Sequence, residues 1–376
     1  MAVTATPADP VVITGGAMLC SLGDADQTFS ALLDGRAGLG PLRHVDPAAV
    51  GVAHGYHVPD SVDGDVGSWL AAVIADAVAQ AGLDTDRRRV AVLVGTGLRE
   101  LRGLERSHAD GVPFAAADLH FGAAVRSVLP GATEVLTLSN ACSASGFALG
   151  LGMDMLALDE ADAVVVAGCD GMTESMLAVI GRVAVEPSER VQPFEVDRRG
   201  VLLGEGAVAV VIQRESADPL ARVLSVGMAC DAFHETAPHP DGVVAAVRDA
   251  HSRAGRLPGD IDLVVAHATG TALNDPTESA ALTEVFGSAA PDGLLVTGIK
   301  GATGHTSGGA ALMSLLVAVR ALRTGTVPPV VGLRTPIPEA EGLRLVIGEP
   351  CATTGSVAQV NAFGFGGVNA VTLVEV

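Results

Sequence analysis

The stretch Thr133–Leu156, TEVLTLSNACSASGFALGLGMDML, decides how this chain is read. Its opening is a short apolar, β-branched run, which predicts a buried strand over Val135–Ser139. A sharp turn follows. Small residues then lead into Phe147, Leu149, Leu151, Met153 and Leu156, which predict a helix. Cys142 therefore stands at a strand–helix joint, where free backbone N–H groups and the helix dipole favour a thiolate and lower the thiol pKa. Ala141, Ser143, Ala144, Ser145 and Gly146 leave the approach open to a large ligand. The alternative from this window alone is a small cysteine buried at a tight crossing of strand and helix.

Outward from this stretch the chain runs one programme twice. PVVITGGAMLCSLGD near the start has the look of ARVLSVGMACDAFHE from Ala221. RRRVAVLVGTGL (Arg87–Leu98) matches DLVVAHATGTAL (Asp262–Leu273), an apolar strand and then a Thr/Gly turn. The opening stretch matches LLVTGIKGATGHTSGGAALMSLLVAVRAL: strand, turn with a reactive residue, long apolar helix. ADAVVVAGCDG with GVLLGEGAVAVVIQRE corresponds loosely to RLVIGEP with VAQVNAFGFGGVNAVTLVEV. Strands alternating with helices predict mixed sheets covered by helices. The helices over 142–157 and 306–322 are apolar nearly all round and so belong inside. The expected architecture is α/β, with five layers: helices, sheet, central helices, sheet, helices. Charge and proline at Ser216–Pro219 place the boundary, giving halves 1–216 and 217–376. The polar segments 41–65, 99–120 and 181–199 read as loops or lids, the last at the surface.

Composition narrows the function. At 376 residues, 49% apolar and 3% aromatic, the chain can fill a large core of small aliphatic side chains. No apolar run reaches membrane-spanning length, and the first residues carry no signal-peptide pattern. Five cysteines without a CxxC pair point to a reducing cytoplasm, with no disulfide framework and no metal site. A formal charge of −20 argues against nucleic acid. An acidic protein partner would need a local arginine cluster, for which Arg87–Arg89, Arg99, Arg102 and Arg106, and Arg198–Arg199 are candidates. Lys300 is the single lysine, a compact ammonium where every other strong cation is arginine.

The duplication brings matching turns to one end of the molecule, outside the carboxyl ends of strands, where ligands collect in open α/β sheets. Three of these turns carry reactive groups: Cys142, His267 and the pair Lys300/His305. His305 precedes a long helix, whose dipole disfavours a protonated ring. One cysteine and two histidines from equivalent strand ends suit acyl transfer through a thioester. The runs GTG (95–97), GEG (204–206) and GFGG (364–367) lack dinucleotide or P-loop spacing and read as tight turns. Asp170, Glu174, Glu195, Asp197 and Glu205 read as structural or solvated carboxylates.

Taken together, VVITGGAMLCSLG, RVAVLVGTGL, NACSASG, QPFEVDRRGVLLGEGA, DAFHETAPHPDG, AHATGTALNDPTES, KGATGHTSGGA and NAFGFGGVNA resemble, in order and nearly end to end, the β-ketoacyl synthases of the thiolase-like superfamily. The resemblance implies a thiolase-like five-layered αβαβα sandwich built from two duplicated halves. It also implies Cys142 as the acyl-accepting nucleophile, His267 and His305 as the enolate-binding pair, and Lys300 as the group that holds the charge balance. It places the oxyanion hole at the N–H groups of Cys142 and Phe363, and the phosphopantetheine contacts at Thr269 and Thr271. The implied reaction is decarboxylative condensation with a malonyl thioester. No cofactor is implied beyond the phosphopantetheine arm of an acyl carrier protein, which is the expected partner. The chain would act as a homodimer, or as a heterodimer with a ketosynthase-like subunit. Ala268 stands where the family has Gly, and Ser314 where it has a Glu that would face Lys300. Ala268 and Ser314 leave room for a second role, acyl transfer to an amine, alcohol or thiol without decarboxylation; a third, a non-catalytic partner subunit, is opposed by the intact Cys142, His267, His305 and Lys300.

Overall fold

In the computed structural model, residues 10–183, 187–287 and 294–376 are described. Ten strands carry the fold. The first half contributes β1 (Val11–Cys20), β2 (Val90–Gly95), β3 (Glu134–Leu138), β4 (Ala163–Asp170) and β5 (Gly206–Gln213). The second contributes β6 (Ala221–Cys230), β7 (Leu263–Val265), β8 (Leu295–Thr297), β9 (Val357–Gly364) and β10 (Val368–Glu375). The halves repeat in topology as well as in sequence. The first is ordered β3-β2-β4-β5-β1 and the second β8-β7-β9-β10-β6. In each, the first three of these neighbours pair in parallel and the rest are antiparallel.

Helices α1 (Val66–Ala81) and α2 (Pro240–Ala254) cover the outer faces of the two halves. Between the sheets lie α3 (Ala144–Ala157) and α4 (Ala310–Thr324), each touching the other and strands of both halves. Their nearly all-round apolar sequences are explained by that position, since only Asp154 and Ala157 of α3 and Arg320, Arg323 and Thr324 of α4 are exposed. The result is the five-layered thiolase-like sandwich expected from the duplication. One detail differs: β1 and β6 pair through Val11↔Val223, Val12↔Arg222 and Ile13↔Ala221, so the two sheets are continuous. Both are edge strands of their halves, and pairing them covers two rows of backbone groups that would otherwise lack partners.

Two sequence expectations need correction. The strand pair that closes the second half is β9–β10, both inside VAQVNAFGFGGVNAVTLVEV; Arg344–Leu345 in RLVIGEP is instead a short edge strand beside β8. The segment 181–199 is not a surface loop in its second part. Val191, Pro193, Phe194 and Glu195 are buried. The Phe194 N–H donates to Asp275, and the Glu195 carboxylate accepts from the N–H groups of Arg334 and Thr335. Its charges and prolines serve loop-to-loop bonding, which a hydropathy reading cannot distinguish from exposure.

The repeat extends to backbone conformation. Each central helix is entered through one turn of 3-10 helix, Ala141–Ser143 and Ser307–Gly309, opened by a residue in the left-handed region: Ala141 at φ 50° and Ser307 at φ 45°. Cys142 and Gly308 are thus twins. At Gly308 a Cβ would lie 2.4 Å from the Thr96 Cα, a contact with rigid backbone. Gly308→Ala is therefore expected to cost about 1–3 kcal/mol, the usual range for overpacking. Thermal unfolding of the variant, at a midpoint well below that of the parent, checks this.

Candidate active site

The turns after β3, β7 and β8 meet at one end of the sandwich. The turn 141–143 touches both the turn 307–309 and strand β9. The imidazoles of His267 and His305 are 5.4 Å apart, nearly perpendicular. The Phe363 ring lies 5.5 Å from His267. Lys300 and Cys142 are close enough to influence each other's charge. The four residues singled out for acyl chemistry therefore share one place, and each comes from the strand end predicted for it.

Lys300 is 2% exposed, at the start of a four-residue helical turn, Lys300–Thr303. Its Nζ donates to the His267 carbonyl oxygen and lies 3.3 Å from His267 Nδ1. Burial pulls its pKa down to about 8; Glu278, Cys142 and Asp275 pull it up. It is thus still largely an ammonium at neutral pH, which offers three donors and no acceptor. His267 Nδ1 must accept from it. Burial and then Lys300 hold the His267 pKa well below its ordinary value, so the ring is neutral and its one proton sits on Nε2. His305 is neutral for the same two reasons, burial first and Lys300 second; the sequence reading had reached the same charge state from a helix dipole. Both ring nitrogens of His305 are buried and have no hydrogen-bond partner. Such groups cost free energy unless something is meant to bind them.

Glu278 is the site residue that the sequence reading missed. It is fully buried in a further helix, α5 (Asn274–Phe286). One carboxylate oxygen accepts from the His267 N–H at 2.7 Å, the other from the Ala268 N–H at 2.8 Å. It lay in the quoted AHATGTALNDPTES motif, one helical turn beyond Asn274, but spacing alone gave it no role. Ala268 sits at φ 45°, a conformation that favours glycine. Its methyl faces Gly298, where any Cβ would come within 2.9 Å of it. Ser314 is buried in α4 and leaves no carboxylate at that position. Even so, Lys300 does not lack compensating charge, because Glu278 exerts the largest favourable pull on it.

Two expectations about Cys142 are overturned. Its thiol pKa is raised to about 11, because loss of hydration outweighs Lys300 and the backbone donors, whereas the strand–helix joint had predicted a lowered value. The backbone N–H that pulls the thiol down beside its own is that of Phe365, where Phe363 was expected. Phe363 is buried in the β9–β10 ladder opposite Asn369, with its ring against His267, while Phe365 is half exposed in the turn that follows. Thr269 and Thr271 lie just past His267, hydroxyl to hydroxyl at 3.0 Å. Asp170 is structural, as read: it accepts from Thr96, Gly97, Leu98 and Gly308, and burial raises its pKa to about 6.

Comparison with known proteins gives this geometry its class. The N-terminal domain model of the β-ketoacyl synthases matches residues 8–218, and the C-terminal domain model matches 220–334. The chain is 31% identical to nodulation protein E of Rhizobium meliloti, over 96% of this chain and 98% of that one. It is also 31% identical to 3-oxoacyl-[acyl-carrier-protein] synthase 2 of Mycobacterium bovis, over 96% and 95%. Among solved structures it is similar to the ishigamide ketosynthase/chain length factor, with TM-score 0.88, 29% identity and 99% of both chains covered. The chain belongs to the β-ketoacyl synthase family, a family of acyltransferases that condense acyl units in fatty-acid and polyketide assembly. Among the described residues, no helix is long and apolar enough to cross a membrane.

The raised thiol predicts a pH profile. Alkylation of Cys142 by iodoacetamide should climb about tenfold per pH unit from 8 to 10 without a plateau, because the thiolate fraction keeps rising up to the pKa. Lys300, whose own pKa is about 8, has lost most of its charge over this range, so Lys300→Met should leave the profile nearly unchanged above pH 9. Intact-mass kinetics across this range check both, and a plateau below pH 9 would contradict the assignment.

Proposed function

We propose that this protein is a decarboxylating ketosynthase. The observation that carries the reading is His305, whose two buried ring nitrogens lack partners beside the Nε2–H of His267. Two neutral imidazoles 5.4 Å apart, each able to donate one N–H, suit the oxygen of an enolate, which is an anion only along the reaction path.

The steps follow from the residues present. Cys142 attacks the carbonyl of an acyl thioester; its S–C bond forms, the carrier's C–S bond breaks, and the thiol proton leaves with the carrier sulfur. The N–H groups of Cys142 and Phe365 stabilise the tetrahedral oxyanion. A malonyl thioester then places its thioester carbonyl oxygen against His267 Nε2–H and His305. Its C–COO⁻ bond breaks and CO2 departs, and the electron pair becomes the enolate. The enolate carbon attacks the acyl carbon on Cys142, expelling the thiolate and leaving a 3-oxoacyl thioester. Lys300 holds His267 in the donating tautomer throughout. Thr269 and Thr271 are assigned to the phosphopantetheine arm. The carrier itself is proposed to be an acyl carrier protein, as named for the mycobacterial relative. No further cofactor is called for by these steps.

Acyl-carrier substrates with intact-mass detection test the reading. The protein should gain one acyl group on Cys142, lost in Cys142→Ala. With malonyl carrier it should then release CO2 and extend the chain by two carbons. Discharge without extension would instead support transfer to another nucleophile, and absence of any adduct would support a non-catalytic subunit. His305→Ala should abolish decarboxylation while retaining measurable self-acylation, because its role begins after the thioester forms. Loss of both steps together would contradict the assignment.

Assembly is proposed to be dimeric. β3 ends the continuous sheet with an unpaired edge among the described residues, and Leu104, Val112 and Leu136 are exposed. Such an edge invites pairing with a second chain. Sedimentation at micromolar concentration should show a dimer of this chain or, with a ketosynthase-like subunit present, a heterodimer; a monomer under both conditions refutes this.

A further inference from the structure

A line of buried polar side chains runs from the inner face of the outer helix α2 to the His267 turn. It begins at His251 on α2, crosses β9 through Gln359 and Asn361, and ends on Glu278. His251 Nε2 lies 2.8 Å from Gln359 Oε1, Gln359 Nε2 donates to Asn361 Oδ1 at 2.8 Å, and Asn361 Nδ2 donates to Glu278 Oε1 at 3.0 Å. None of the four is more than 5% exposed. Gln359 presents its carbonyl oxygen to His251, so Nε2 carries the proton. Every bond then donates in one direction, toward the carboxylate, and bonds aligned in this way polarise one another. At the far end Glu278 holds the N–H groups of His267 and Ala268.

The duplication supplies a control within the same molecule. β4 and β9 are twin strands of eight residues, each opening opposite the last residue of its neighbour, Ala163↔Gln213 and Val357↔Glu375. Counting from there, Gln359 matches Val165 and Asn361 matches Ala167, both fully buried. The fold is therefore content with apolar residues at these two places. Burying two amides there instead is costly unless they are fully bonded, and the first half shows that the sheet does not require them. What the second half has, and the first lacks, is a catalytic histidine whose backbone hangs on a carboxylate.

We propose that His251, Gln359 and Asn361 are positioning residues for the condensation chemistry: they hold the Glu278 carboxylate in the orientation that sets the His267 turn and, through the His267 carbonyl, Lys300. The proposal rests on the ketosynthase reading for its kinetic consequence, but not for its structural one. A displacement of His267 of less than 1 Å is enough to spoil a pair of donors that must converge on one oxygen. Acylation of Cys142 does not use His267 and is linked to this line of side chains only through the charge of Lys300, so it should change far less.

Gln359→Val, which installs the residue of the twin strand, is the direct test, with His251→Phe as a second variant that leaves β9 intact. Three quantities are measured: self-acylation of Cys142, decarboxylation of a malonyl carrier thioester, and the ring nitrogen signals of His267 by NMR, assigned against His267→Gln. The expected result is decarboxylation lowered about tenfold, as for loss of a buried hydrogen bond, acylation within about twofold of the parent, and a shifted His267 signal in both variants. An unmoved His267 signal, or acylation and decarboxylation falling in parallel, overturns the proposal. Should the parent itself fail to decarboxylate, the condensing reading falls, and the His267 signal alone decides: a shift in the variants supports the positioning role and no shift overturns it.

Discussion

A single buried ammonium constrains the rest of this site. Lys300 is dehydrated, yet it bonds the His267 carbonyl and leans on the Nδ1 of the same residue. That contact dictates which nitrogen of His267 holds a proton, and hence which way the ring can donate. The same charge helps keep His305 neutral and tempers the thiol of Cys142. A guanidinium could not serve: it is a flat, rigid fork with no pKa within reach of neutrality. In a chain that otherwise uses arginine for every strong cation, the lone lysine reflects this geometry.

The doubled scaffold explains how such a site can be held rigidly while its members come from distant parts of the chain. Each half contributes a strained entry into its central helix, Ala141 and Ser307, and each entry places one residue at the meeting point of the two halves. In the first half that residue is Cys142, the proposed nucleophile. In the second it is Gly308, whose lack of a side chain allows the backbone of Thr96 to come close. Asp170 ties the two together by accepting from Gly97 and Leu98 on one side and Gly308 on the other. The twin turns have diverged into a reactive position and a packing position, and the second makes room for the first.

Much of this was legible in the sequence, and what was not has physical reasons. Strand, turn and helix follow one another in the same order twice, and that order alone yielded the layers and the turns bearing Cys142, His267, Lys300 and His305. The closing hairpin was misplaced because RLVIGEP is as apolar as a core strand; only pairing shows that Arg344–Leu345 sits at an edge. Phe363 and Phe365 flank a single glycine, and sequence cannot say which N–H leaves the ladder to face Cys142. The sign of the thiol shift also escaped, because a helix entrance and loss of hydration push in opposite directions, and how far the partly buried Cys142 loses its water is visible only in three dimensions. Glu278 escaped for a related reason: its partners are backbone N–H groups, which leave no mark on residue type.

Ala268 shows how a local departure is absorbed. A non-glycine residue at φ 45° carries strain of about 1 kcal/mol or more. The strain persists because both ends of the turn are held. Glu278 grips the N–H groups of His267 and Ala268, and Lys300 grips the His267 carbonyl between them. The extra methyl has a place to go because residue 298 on the neighbouring strand end is glycine. A side chain at 298 and the methyl at 268 could not coexist without moving the backbone that carries His267. The two positions are therefore coupled. The residue after His267 can be alanine here because the same carboxylate that holds the His267 N–H also pins the strained peptide, so one constraint both places the proposed catalytic ring and stabilises the departure from glycine.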